Sequence, residues 1–242
     1  MNHIIPSELK INVELLKEEF DIPKGAYVVL TIGRFSEEKG QRFLIEAAKK
    51  VHEELPDALF LLIGHGSLQS QLESFIVSSN LEGVVRIIAA PERAKAFLFC
   101  ADLFVLPSLR EGQPVALAEA MLAGLPIVAS DLPGVRERVT HGENGLLFSK
   151  GDVVQLASAI IELATNKNKA EAFSQKALSS VASLNIVENI NVLEKLIEKG
   201  LVSYIQEGGI KIFQAESPNF IVDMFRNLKK EWQVQILKDT RF

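Results

Sequence analysis

Four short segments of this chain are apolar almost from end to end: "YVVLTIG", "ALFLLIG", "DLFVLPS" and "PIVAS". A strand with one face in water alternates apolar and polar residues, whereas these offer apolar side chains to both sides. Such strands need cover on both faces. The segments between them provide it. "QRFLIEAAKKVHEEL" sets Phe43, Leu44, Ala47, Ala48 and Val51 on one helical face. "SLQSQLESFIVSS", "PERAKAFLFCA", "GVRERVT" and "DVVQLASAIIELAT" also read as helices, while "VVRII" and "GLLF" read as further strands. Strand and helix alternating from Ala26 to Thr165 predict an α/β fold, a Rossmann-like parallel sheet with helices on both faces.

Sheets of this kind bind ligands beyond the carboxyl ends of their strands. There the chain carries its glycines and charges. Gly33-Arg34 follows the first strand, Gly64-His65-Gly66 the second, and the loop Ser108–Gln113 the fourth. His65 reads as a turn residue. Pro114 is expected at the first helical position after that last loop, fixing the helix start near Gln113. The amides of Gly112, Gln113 and Val115 would then form an anion site at a positive helix end. Arg34 and Lys39, in "GRFSEEKG", lie on another loop at the same edge and could complete a diphosphate cradle.

"LREGQPVALAEAMLAGLPIVAS" raises a separate question. From Val115 to Ala123 the helix is apolar all round apart from Glu119, and such a helix is expected to be buried on every side. A carboxylate in that setting needs partners or a cavity. Glu111 lies eight residues earlier, in the loop. Carboxylates accept hydrogen bonds, so hydroxyls are their natural ligands. A cationic cradle with two hydroxyl-binding acids fits a nucleoside diphosphate sugar. The alternatives are solvated loop cations at 34 and 39, a surface pair of Glu111 with Arg110, and a Glu119 satisfied by buried backbone donors.

"GRFSEEKG", "LIGHGSLQSQLE", "ADLFVLPSLREGQPVALAEAMLAGLPIVASDLPGVRE" and "HGENGLLF" resemble, in order, the C-terminal half of family 4 retaining glycosyltransferases, enzymes with the two-Rossmann-domain GT-B fold. The resemblance covers roughly residues 1–185 and is most specific in the paired-glutamate segment. It implies that Arg34 and Lys39 hold the donor diphosphate, that Glu111 contacts the transferred sugar, and that Glu119 binds the ribose hydroxyls. Gly33, Gly112 and Gln113 complete the implied donor site, and Arg34, Lys39 and Glu111 its catalytic set. The implied reaction moves a hexose from a nucleoside diphosphate, with no cofactor and no metal. "RIIAAPE" departs from the family in lacking a glycine after its strand, which leaves the base open.

The same resemblance implies an N-terminal acceptor-binding Rossmann domain, whose linker "NHIIPSELKINVELLKEEFDIPKGAYVVL" resembles. Three arrangements follow: a fragment, a subunit completed by a partner chain, or a degenerate binding module. A non-enzymatic nucleotide-sugar sensor is the rival reading. Residues 186–242 form a separate tail, expected as helix, β-hairpin and helix. "VLEKLIEKGLVSYIQEGGIKIFQAESP" resembles the recognition helix and wing of TrmB-like winged-helix regulators. Eight Lys/Arg balance eight Asp/Glu over this tail, so DNA contact is disfavoured relative to packing or homodimerisation. A lone cysteine, Cys100, in an apolar stretch reads as a buried core thiol, and there is neither an apolar run of membrane-spanning length nor a signal-peptide pattern. The expected location is the cytoplasm.

Overall fold

The computed structural model describes residues 13–90 and 93–181, together with the backbone of two strands at 202–207 and 210–215. The chain divides into two units, Met1–Ser183 and Leu184–Phe242. The first holds six parallel strands: β1 (Tyr27–Ile32), β2 (Ala58–Ile63), β3 (Val85–Ile88), β4 (Leu103–Leu106), β5 (Ile127–Ser130) and β6 (Leu146–Phe148). Their order across the sheet is β3-β2-β1-β4-β5-β6. The α/β sheet is therefore as expected, and its order reverses between β1 and β4, the switch point at which such sheets bind ligands.

The uniformly apolar strands are covered on both faces. On one side Val29, Phe60, Leu62, Val105 and Val128 pack under α2 (Gln41–Glu54), α3 (Gln69–Ser78) and α7 (Val153–Thr165). On the other, Val28, Leu30, Leu61, Phe104 and Ala129 pack under α1 (Val13–Glu19), α4 (Ala94–Phe97), α5 (Val115–Leu122) and α6 (Pro133–Arg136). A further helical stretch, residues 167–181, places Ala177 and Val181 in the second core. Asp102 joins β4 to β1 by accepting the amide of Val28 at 2.8 Å. Cys100 is 4% exposed, as read from the sequence, and burial pushes its thiol up from the ordinary range.

Two sequence expectations are corrected. Among its described residues the segment "PERAKAFLFCA" is α-helical only at Ala94–Phe97. Beyond Phe97 the chain turns through i→i+3 bonds, with Leu98, Phe99 and Cys100 amides reaching the Lys95, Ala96 and Phe97 carbonyls. That tighter winding buries Leu98 and Cys100 on the way into β4. Nor is α5 buried on every side. Leu117, Ala118, Ala120 and Met121 enter the core, while Val115 and Leu122 stay 39% and 37% exposed.

In the second unit β7 (Val202–Glu207) and β8 (Ile210–Ala215) pair antiparallel from Val202↔Ala215 to Glu207↔Ile210, which is the expected hairpin. The helices expected on either side of it, and with them the winged-helix likeness, lie outside the described residues.

Candidate functional site

The loops after β1 and β4 meet backbone to backbone at the switch point. Gly40 stands at φ +63°, and a Cβ there would lie 2.1 Å from the Pro107 carbonyl oxygen, so only glycine allows the approach. The Leu109 amide donates to the Glu38 carbonyl at 2.8 Å, fastening one loop to the other. A Cβ on Gly134 would lie 2.3 Å from the Gly112 carbonyl oxygen, so the start of α6 is pressed against the Glu111-Gly112 backbone.

Lys39 sits at the end of a single 3-10 turn, Glu37–Lys39, within the β1–α2 loop. Its Nζ donates to Glu111 Oε1 at 2.7 Å, and Ser108 Oγ donates to the same oxygen at 2.7 Å. The Glu111 side chain is 6% exposed and that of Lys39 30%. A carboxylate so withdrawn from water requires such partners. Arg110 ion-pairs with Glu38, so Glu111 takes the loop lysine in place of its neighbour in sequence. Arg34 is exposed, and its guanidinium has no protein partner among the described residues. Its carbonyl accepts from Gln41 Nε2 at 2.9 Å. Gly33 leads into this turn directly from β1. His65 is an exposed turn residue whose carbonyl accepts the Phe35 amide.

Helix α5 begins at Val115, one residue later than expected, because Pro114 is its N-cap with ψ at 89°, outside the helical region. The first amides of a helix have no intrahelical acceptor, so Val115, Ala116 and Leu117 point theirs out of its start. Gly112 and Gln113 precede it in exposed backbone. Glu119 lies four residues past the first, one turn into the helix. It emerges between exposed Val115 and Leu122 with its side chain 21% exposed. Its Oε1 is 2.7 Å from Lys95 Nζ of α4. The carboxylate is thus satisfied by a lysine and not by buried backbone donors.

Sequence reasoning missed two residues here. Lys95 lay within a segment read only as a longer helix. Gln41, 3% exposed, read as an ordinary helix start, yet its amide braces the Arg34 turn. A polar side chain immediately after Gly40 was the available signal. Beside the site, the Arg136 guanidinium, hydrogen-bonded to Asp131, holds that carboxyl below the usual range. Among the described residues no three His, Cys, Asp or Glu side chains converge as metal ligands.

The arrangement can therefore present two cations and helix-start amides to an anion, and two carboxylates to hydroxyls. The family model "Glycosyl transferases group 1" matches residues 12–180. The chain is 36% identical over 143 residues to the amylovoran biosynthesis glycosyltransferase AmsK of Erwinia amylovora, covering 56% of this chain and 35% of that protein. The structure of TarM from S. aureus, solved with UDP among its ligands, matches with TM-score 0.66 and 28% identity over 73% of this chain and 36% of that one. That of Anabaena HepE, in complex with UDP and glucose, matches with TM-score 0.68 and 25% identity over 78% and 53%. The chain thus spans about a third to a half of the length of these proteins. Matches of this kind favour a transferase over the sensor reading. Among the described residues no helix is long and apolar enough to cross a membrane.

Proposed function

The chain belongs to the group 1 glycosyltransferases, and from that membership we propose that residues 1–185 bind the nucleoside diphosphate sugar of a retaining hexosyltransferase. The observation that carries this reading is the convergence of Lys39 and Glu111 across the β1/β4 switch point. One ligand with anionic and hydroxyl groups side by side satisfies both. Arg34, Lys39 and the α5 amides hold the diphosphate, Glu111 accepts from a sugar hydroxyl, and Glu119 accepts from the ribose.

In the reaction the bond between the sugar's anomeric carbon and the diphosphate oxygen breaks, and the diphosphate leaves with the electron pair. The acceptor hydroxyl forms the new bond to that carbon and passes its proton to the departing diphosphate oxygen. Charge grows on the leaving diphosphate, so preorganised cations and amides aimed at it lower the barrier. Glu111 fixes the sugar against the leaving group. A second Rossmann domain, on a partner chain or elsewhere in the protein, holds the acceptor in this reading. Near-attack contact between donor and acceptor requires both walls of the cleft.

UDP-sugars are the first donors to try, since the TarM and HepE structures contain UDP. A thermal-shift series with UDP-, GDP- and ADP-sugars tests the proposal. A donor at 100 times its Kd stabilises the native state by about 2.7 kcal/mol. One of the three should raise the melting temperature of the 242-residue chain by several degrees. No shift with any of them at millimolar concentration would refute the donor-site reading.

A further inference from the structure

The ion pair between Lys95 and Glu119 joins α4, which the diphosphate cradle does not use, to α5, whose first amides it does. Lys95 comes from the short helix between β3 and β4, and Glu119 from α5, the helix that follows β4. Lys95 Nζ lies 2.7 Å from Glu119 Oε1, and no other polar partner of Glu119 is found among the described residues. The acid stands on the open stripe of an otherwise apolar helix, between the exposed side chains of Val115 and Leu122. Neither neighbour can hydrogen-bond to it or limit its rotamers through a polar contact. The lysine is its one polar restraint among the described residues.

The fold does not need this contact. The Lys95 side chain is 66% exposed, and ion pairs with so exposed a member add little to stability. An ammonium group carries three donors, so Lys95 can pair with the carboxylate and still meet water or ligand. A carboxylate drawn toward one cation has fewer orientations open to it, which suits recognition of a hydroxyl, where direction decides strength.

We infer that Lys95 is a positioning residue for Glu119: it draws the carboxylate into the orientation in which it meets the ribose hydroxyls, and it thereby sets the preference for ribonucleotides over deoxyribonucleotides. This rests on the donor-site reading of Glu119. Lys95 itself touches the carboxylate and not the reacting atoms. A site that hydrogen-bonds a hydroxyl rejects the analogue lacking it, because the buried acceptor is left unpaired. If the lysine sets the acceptor's direction, its removal blunts this discrimination and leaves the diphosphate contacts unchanged.

The test is calorimetric titration of the 242-residue chain with UDP and its 2′-deoxy and 3′-deoxy counterparts, with the ADP and GDP series alongside. The tightest series is taken forward to Lys95→Met and Lys95→Arg. Wild type should favour the ribonucleotide by about 10-fold or more over at least one deoxy analogue, the range of one charge-assisted hydrogen bond. Lys95→Met should cut that ratio at least about 5-fold at unchanged melting temperature, with deoxynucleotide affinity held within about twofold, and Lys95→Arg should restore it. A wild type that binds ribo and deoxy forms equally would overturn the ribose assignment of Glu119 and this inference with it. A wild type that discriminates, with Lys95→Met keeping the full ratio, would overturn the inference alone. So would equal weakening of all ligands, which would make Lys95 a contact to the diphosphate.

Discussion

Lys39 Nζ and Glu111 Oε1 lie 2.7 Å apart although 72 residues separate them, and the carboxylate of this pair is almost wholly buried. The proposed diphosphate ligand and the proposed sugar ligand are thus each other's nearest ionic partner. Lys39 must be shared between Glu111 and a bound diphosphate, so the two halves of the donor are read by a coupled pair.

That coupling gives Glu111→Gln a divided outcome. The amide keeps the volume but releases Lys39, so a nucleoside diphosphate without sugar should bind equally well or up to about 5-fold more tightly, the range of a modest ion pair. The complete sugar nucleotide should bind about 10-fold or more weakly, and transfer in the presence of an acceptor domain should be lost. Calorimetry with both ligands checks this. Equal weakening of both would place Glu111 at the diphosphate.

Removing the cations should discriminate by ligand charge. In the Arg34→Ala, Lys39→Ala double variant a nucleoside diphosphate should lose at least about 100-fold in affinity, two charge-assisted bonds, while a neutral nucleoside loses almost nothing. Binding by the wild type should be indifferent to a chelator. Equal losses for both ligands, or a chelator-sensitive wild type, would count against a cradle made of these residues.

Glu119→Gln should weaken a ribonucleoside diphosphate by about 10- to 100-fold, because the amide gives up the anionic acceptor. Its ion pair with a largely exposed lysine is worth at most about 1 kcal/mol, so the melting temperature should barely move. A variant that melts much earlier, yet whose folded fraction binds as wild type does, would make Glu119 a structural acid.

Gly134→Ala tests whether the site depends on backbone contact. The added methyl would sit 2.3 Å from the Gly112 carbonyl oxygen and 3.0 Å from that of Glu111, so the loop carrying the acid must move. Overpacking of this kind costs about 1–3 kcal/mol. The expected result is a lower melting temperature together with at least a 5-fold loss of donor affinity, on the order of 1 kcal/mol. A fold destabilised with donor binding intact would separate this glycine from the site.

Much of this molecule could be read before its structure. Uniformly apolar strands such as "ALFLLI" leave one solution, a sheet covered on both faces, and β2 is buried along its whole length. Glycines and charges following those strands marked the ligand edge, because that is where loops of such a sheet converge. The surroundings of α5 were less legible. Composition alone makes Val115–Leu122 look like a fully buried helix. Whether Val115 and Leu122 are covered depends on what packs beside them, and that is not a local property.

The sequence by itself determined the element types, the parallel sheet and the chemical kind of each candidate ligand, because hydrophobic period and side-chain chemistry are properties of the chain. Tertiary structure alone decided the partnerships: Lys39 with Glu111, Lys95 with Glu119, Gln41 beneath Arg34. Two of these are ion pairs bridging separate elements, and nothing in residue spacing specifies them. The first exists because strand order sets β1 beside β4, and because the loops leaving those strands meet in backbone contact at Gly40 and Pro107. The second exists because α4 and α5 cover the same face of the sheet.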